Sequence, residues 1–68
     1  MKEGDIVRID GYADELGIED YGRVRVIAHG IIEVTPPKYS KKVLVTLDCI
    51  DGEGGVTVRV FRNKLRKL

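Results

Sequence analysis

Hydrophobic and polar residues alternate along four stretches of the 68-residue chain. Residues 22–28 (GRVRVIA) are the clearest case, since Val24, Val26 and Ala28 fall on one face and the residues between them on the other. This period of two is typical of a β-strand with one buried face. The same alternation predicts three further strands, in residues 4–9 (GDIVRI), 43–49 (VLVTLDC) and 56–61 (VTVRVF).

Glycine and proline residues set the ends of these strands. The stretch DGEGG (residues 51–55) separates two alternating segments, which is the pattern of a β-hairpin loop. Proline has no backbone N–H to donate, so the Pro-Pro pair in TPPKYSKK (residues 35–42) ends the second strand. Gly30 predicts a bulge or bend inside that strand, which Ile31 and Ile32 then continue.

The end of the sequence completes the predicted fold. Residues 62–64 (RNK) predict a short turn of 3₁₀ helix before a last short strand that includes Leu65 and Leu68. Five short strands indicate a single all-β domain over residues 1–68. We expect a small five-stranded barrel, because closure of the sheet removes its edges.

Residues 10–21 (DGYADELGIEDY) do not alternate. They contain two glycines and five acidic residues, with no basic residue among them. Glycine costs about 1 kcal/mol in a helix interior, so Gly17 and Gly22 disfavour a long helix in this region. The stretch is therefore predicted to be a long, partly ordered loop, which we call the acidic loop.

The layout resembles that of the SH3-like small barrels, and the first half resembles a KOW-type module. In that module a GD-x-V-x-V strand is followed by a loop and then by the pattern glycine, any residue, valine. The matching residues here are Gly4, Asp5, Val7, Ile9, Gly22, Val24 and Ile27. The resemblance implies a small-barrel architecture, and it says far less about function.

Two features depart from the KOW pattern. The loop between the first two strands is acidic, where a nucleic-acid-binding KOW module offers glycine and basic residues. The second half adds residues 35–42 and a basic end. The small barrel subunits that dock on photosystems and on ferredoxin-dependent enzymes have a similar outline. A signalling SH3 domain is disfavoured, because the chain has no tryptophan.

The net charge of +1 hides a difference between the two halves of the chain. Residues 1–34 hold four Lys or Arg against eight Asp or Glu, whereas residues 35–68 hold eight against three. No apolar stretch approaches the roughly 20 residues that span a bilayer, and early charged residues disfavour a signal peptide. The lone Cys49 cannot form an internal disulfide. We therefore expect a cytoplasmic protein without membrane association.

Catalysis and metal binding find little support in the sequence. The alternation of residues 43–49 carries Cys49 into the predicted core, which favours a structural thiol. His29, the only histidine, lies beside Gly30 and is expected to be an exposed turn residue. No Cys and His spacing approaches a zinc motif, and the acidic loop lacks the EF-hand pattern. We expect no enzyme activity, no metal and no cofactor.

Nucleic-acid binding is the first functional hypothesis. Lys and Arg supply phosphate contacts, and an exposed aromatic ring offers a base a surface on which to stack. One loop combines three lysines with a tyrosine, and the last ten residues add five basic residues and a phenylalanine. The predicted contact residues are Lys38, Tyr39, Lys41, Lys42, Arg59, Phe61, Arg62, Lys64 and Arg66.

Protein binding is the alternative hypothesis. Apolar residues alternate with acids in the acidic loop, and such a loop suits a basic partner that its charges would steer. The predicted contact residues are Tyr12, Asp14, Glu15, Leu16, Glu19, Asp20 and Tyr21. Leu16 and Ile18 are equally suited to plugging one end of the barrel. One of the adjacent residues Ile31 and Ile32 is expected to face outward. Together with an exposed strand edge, this residue would support a homodimer, so the chain is predicted to be a monomer or a weak homodimer.

Arg23 and Arg25 share the outward face of the second strand with Ile27. A charged outer face is the ordinary way to keep a strand solvated, and a nucleic-acid contact is the alternative. The acids of residues 10–20 and the bases of residues 59–68 can either pair with each other or form two separate poles. The sequence leaves both questions open.

Overall fold

The computed structural model describes all 68 residues, and it is nearly all β. A four-residue helix and one turn of 3₁₀ helix interrupt the strands. In chain order the elements are β1 (Ile6–Tyr12), α1 (Ala13–Leu16), β2 (Arg25–Ile32), β3 (Lys42–Leu47), β4 (Val56–Phe61), the 3₁₀ turn (Arg62–Lys64) and β5 (Arg66–Lys67). The all-β class, the five strands and the 3₁₀ turn before the last strand are confirmed. No helix is long and apolar enough to cross a bilayer.

The strands form one antiparallel sheet in the order β4-β3-β2-β1-β5. β1 and β2 pair along their whole length, from Ile6↔Ile31 to Tyr12↔Arg25. β5 has only two residues and pairs with β1 alone. The sheet is consequently open between β4 and β5, whereas the sequence interpretation expected a closed barrel.

The predicted inward faces of the strands form the core. Val26 and Ala28 are buried on β2, and Ile27 between them is 57% exposed. Val56 and Val58 are only half-buried, because β4 is an edge strand that no second strand covers. The core also contains residues of the acidic loop and the hairpin loop, and its thirteen buried members are Val7, Ile9, Ala13, Leu16, Ile18, Val26, Ala28, Ile32, Val43, Val45, Leu47, Ile50 and Val60.

Gly30 does not form the predicted bulge. Its register is continuous on both sides, with Val7 on β1 and Leu47 on β3. A Cβ at this position would overlap the Val45 side chain and lie 3.1 Å from the Thr46 carbonyl oxygen. Gly30 is therefore needed for the close approach of two strands, which is the other reason for a glycine inside a strand.

Cys49 is exposed, and its predicted place in the core was wrong. β3 ends at Leu47, and the Asp48 N–H donates to the His29 carbonyl at 2.9 Å before the chain turns. The alternation therefore stops two residues before Cys49. Ile50 is buried in its place.

The acidic loop is more ordered than its sequence predicts. It contains α1, a single helical turn that ends at Gly17, where the backbone φ is +85°. Leu16 and Ile18 on either side of this glycine are buried in the core. These two residues therefore cover one side of the open sheet, and they are unavailable for the surface contact predicted for Leu16.

Candidate nucleic-acid interface

Arg25, the first residue of β2, and Arg23, which lies in the turn before β2 and not on the strand as predicted, pair with carboxylates of the acidic loop. The Arg25 guanidinium contacts the Asp10 carboxylate at 2.7 Å. Arg23 contacts Asp14 at 3.2 Å and Glu15 at 3.6 Å. In each arginine the hydrogen bond to its aspartate is the main cause of a raised pKa. These pairs favour the solvation interpretation of the β2 face over a nucleic-acid contact.

Tyr12 completes this paired cluster. Its ring lies under both guanidinium groups, with the Arg23 carbon 4.2 Å and the Arg25 carbon 5.5 Å from the ring centre. A cation over an aromatic face gains about 0.5–1 kcal/mol at an exposed site. Tyr12 is therefore occupied within the chain, together with Asp14 and Glu15, the two predicted protein-contact acids nearest to it.

The seven basic residues that were predicted to contact a nucleic acid differ from Arg23 and Arg25, because they have no carboxylate partners. The chain has five salt bridges, and none of them includes one of these seven basic residues. The acids of residues 10–20 and the bases of residues 59–68 therefore form no salt bridge with each other and remain separate poles. One lysine of the basic end pairs with an acid outside residues 10–20, since Lys67 lies 3.6 Å from the Asp5 carboxylate.

Lys42 and Phe61 are held within the fold. The Lys42 ammonium donates to the Gly17 carbonyl at 2.7 Å and lies 5.2 Å from the centre of the Phe61 ring. A Cβ at Gly17 would come within 2.8 Å of that ring, so the loop backbone covers one face of it. Phe61 accordingly packs against the acidic loop. It also lines a cleft with Lys41 and Lys64, so its stacking role stays a prediction.

Arg62 fastens the loop of residues 33–41 to the 3₁₀ turn. Its guanidinium donates to the Pro37 carbonyl at 2.6 Å and to the Lys38 carbonyl at 3.1 Å, and its backbone N–H donates to the Lys41 carbonyl. The lysine-bearing loop and the basic end of the chain are thus joined, as the nucleic-acid hypothesis requires. Arg62 Nε is buried without a hydrogen-bond partner.

Most of the remaining basic side chains line two clefts that share Lys64. Lys41, Arg62 and Lys64 line one cleft of about 780 Å³. Lys64 and Arg66 line a smaller one beside it, together with Arg8 of β1. Arg8 was missed by the sequence interpretation, which had no signal that β5 would lie beside β1. We call this surface the basic strip. It consists of Lys41, Lys64, Arg66 and Arg8, together with Lys38 on the loop that Arg62 holds in place.

Arg8 and Arg66 are direct cross-strand partners on β1 and β5. Like charges placed opposite each other in a sheet are destabilising. Tyr39 stands beside the strip on the loop tip and is 91% exposed, which leaves both faces of its ring free. The strip therefore combines unpaired charge with an exposed aromatic ring.

Arg59 lies apart from the strip. It lines a different cleft, between the acidic loop and β4, together with Glu19, Asp20 and Tyr21. Glu19 and Asp20 are exposed and Tyr21 is half-buried. Partial burial, followed by the neighbouring carboxylates of Glu53, Asp51 and Asp20, raises the pKa of the Tyr21 hydroxyl.

His29 is exposed as predicted, although it lies inside β2 and not in a turn. Its Nδ1 is 4.0 Å from the Asp48 carboxylate. No group of three or more His, Cys, Asp or Glu side chains is arranged to hold a metal ion.

The chain was compared with protein-family models, with curated proteins and with solved structures, and none of the three comparisons gave a match.

Proposed function

We propose that this chain is a non-enzymatic module that binds the phosphate backbone of a nucleic acid along the basic strip. The observation that carries the proposal is the contrast in ion pairing. Arg23 and Arg25 neutralise nearby acids, while no cation of the strip has a carboxylate partner. Unpaired Lys and Arg release counterions when they meet phosphates, which is the main source of non-specific affinity.

The acids next to the strip strengthen this argument. Glu15 lines the larger basic cleft and Asp10 the smaller one. Arg23 and Arg25 hold these two carboxylates, so their repulsion of a phosphate is reduced. Arg8 and Arg66, which lie opposite each other, also support the proposal, because a bound anion would relieve the repulsion between them.

Tyr39 extends the proposal to single strands. A free aromatic ring beside a basic groove stacks on an unpaired base, a contact worth about 1–3 kcal/mol by alanine substitution. The five-strand order, the long first loop and the 3₁₀ turn also support our proposal that the domain belongs with the SH3-like small barrels. A cytoplasmic location stays a proposal that is based on the lone thiol.

The alternative, an adaptor that docks through the acidic loop, has lost several of its predicted contacts. Tyr12, Asp14 and Glu15 are engaged with arginines, and Leu16 is buried. Only Glu19, Asp20 and Tyr21 stay available on that loop.

The test is a salt titration of labelled single-stranded and double-stranded DNA and RNA. Affinity should fall steeply between about 50 and 200 mM salt. The double variant Lys41→Gln/Lys64→Gln should bind at least about tenfold more weakly at the lower salt. Loss of two contacts should also reduce the slope of log affinity against log salt by about 1.4–1.8.

The matched control is Lys2→Gln/Arg59→Gln, which removes the same charge outside the strip and breaks no salt bridge. Its affinity should stay within about twofold of the original, since distant charges are screened at these salt concentrations. Equal losses in both double variants would show that net charge alone matters and would refute the strip. No binding to any of the four nucleic acids at 50 mM salt would refute the proposed function.

A further inference from the structure

A second cleft lies between residues 17–21 of the acidic loop and strand β4. Its volume is about 720 Å³, and residues 56–59 of β4 all line it. Successive residues of a strand point to opposite faces of the sheet. A cleft that touches four in a row therefore reaches the edge of the strand, and it also extends across β4 to Leu44 of β3, the partner of Arg59. It shares no residue with the basic strip.

The edge of β4 presents unpaired backbone groups to this cleft. β4 pairs with β3 on one side, and no strand lies on the other. The Arg62 N–H donates to the Lys41 carbonyl at 2.8 Å, which marks a hydrogen-bonded pair at the end of this ladder. Such pairs alternate with non-hydrogen-bonded ones in antiparallel sheets. Thr57 and Arg59 therefore direct their N–H and C=O groups outward, toward the free edge.

The cleft is acidic. Four carboxylates line it, and none of them belongs to a salt bridge. They come from the acidic loop and from the hairpin loop, and are Glu19, Asp20, Asp51 and Glu53.

Two cations also line the cleft. The Lys42 ammonium is bonded to the Gly17 carbonyl, and Arg59 stands two residues further along β4 from Thr57. Both lie toward the end of the cleft where β4 meets the 3₁₀ turn. The end near the hairpin loop carries Asp51 and Glu53, whose charges contribute to the raised pKa of Tyr21. The negative charge is thus concentrated at the hairpin-loop end.

We propose that the free edge of β4 binds an extended, lysine- or arginine-rich peptide segment of a partner protein as an additional strand. The outward N–H and C=O groups of Thr57 and Arg59 supply main-chain hydrogen bonds, which give affinity in this mode of recognition. The carboxylates at the hairpin-loop end select a positively charged partner. Four residues of β4 span about 13 Å, so about four residues of the peptide pair with the edge.

The test uses a capped heptapeptide that alternates lysine and valine. Its binding should slow hydrogen exchange of the Thr57 and Arg59 amides, by at least about tenfold at saturation, because both become hydrogen-bonded. The peptide with glutamate in place of every lysine should not bind. Binding of the lysine peptide without protection of these two amides would mean that only charge attraction operates, and it would overturn the proposal, as would no binding.

Two protein variants examine the two parts of the site separately. Asp51→Asn/Glu53→Gln should weaken peptide binding about fivefold, as expected for two exposed charge pairs. Glu33→Gln, an exposed acid outside the cleft, should have no effect. An unchanged affinity in Asp51→Asn/Glu53→Gln would refute the charge selection.

Thr57→Pro removes an outward N–H, and proline is tolerated on an edge strand at such a position. It should abolish protection of the Arg59 amide by the peptide. Retained protection would refute pairing at this edge. Both variants should bind nucleic acids normally, so this proposal and the proposed function can fail independently.

Discussion

Two charged regions of this molecule follow opposite rules. In the first region, around β1 and β2, Arg23 and Arg25 each lie within 4 Å of a carboxylate, and Tyr12 packs beneath both. In the basic strip, every cation lacks a carboxylate partner, and Arg8 even faces Arg66 across the sheet. The pairing of the strands therefore determines which charged side chains have a partner of opposite charge. The β1–β2 register places Tyr12 directly opposite Arg25, and Asp10 one diagonal away.

Gly17 of the acidic loop packs against Phe61, which lines the larger cleft of the basic strip, and substitution at Gly17 should have the largest effect. Gly17→Ala forces a side chain into φ +85° and against the Phe61 ring at 2.8 Å. We expect a loss of about 2–4 kcal/mol in unfolding free energy, from strain and overpacking together. Gly52→Ala is the matched control, because its φ is +81° with nothing within 4 Å. Gly52→Ala should lower the free energy of unfolding by about 1 kcal/mol. If urea denaturation gave equal losses for the two variants, Gly17 would be needed only for its backbone conformation.

Adjacent lysines should differ in the next largest effect. Lys42→Met removes the ammonium that donates to Gly17 and lies over Phe61, so we expect a loss of about 1.5–2 kcal/mol in unfolding free energy. Lys41→Met should change it by less than about 0.5 kcal/mol, because Lys41 is exposed and its side chain makes no hydrogen bond. Similar urea midpoints for the two variants would contradict the conclusion that Lys42 stabilises the fold while Lys41 does not.

The smallest effect concerns the border between the two regions. Arg25→Gln releases the Asp10 carboxylate beside Lys64 and Arg66. We expect nucleic-acid affinity to fall about twofold to threefold, and stability to change by less than about 1 kcal/mol. The double variant Arg25→Gln/Asp10→Asn should restore the affinity. A loss that persists in the double variant would mean that Arg25 itself contacts the nucleic acid.

Alternation was a sound guide to the faces of the strands. Val26 and Ala28 face inward and Ile27 outward, because one buried face and one wet face leave a period of two in the sequence. The same rule failed for Cys49, since alternation says nothing about where a strand stops. The hairpin loop begins at Asp48, and Ile50 folds back into the core from the loop.

The candidate site was predicted only in part. The lysine-bearing loop and the basic end follow from composition, and their junction at Arg62 supports grouping them. The roles of Lys42 and Phe61 could not be predicted, because both depend on a contact with Gly17, more than twenty residues away in the chain. Arg8 was missed for a similar reason, since its place beside Arg66 requires the pairing of the first strand with the last.

That pairing also constrains the order in which the chain can fold. β1–β2 and β3–β4 are neighbours in sequence, so either hairpin can form as soon as its own residues leave the ribosome. The second edge of β1 must wait for residues 66–67. Until then an isoleucine- and valine-bearing strand stays open to pairing with other nascent chains. Arg8 on that strand then acts as a charged gatekeeper during synthesis.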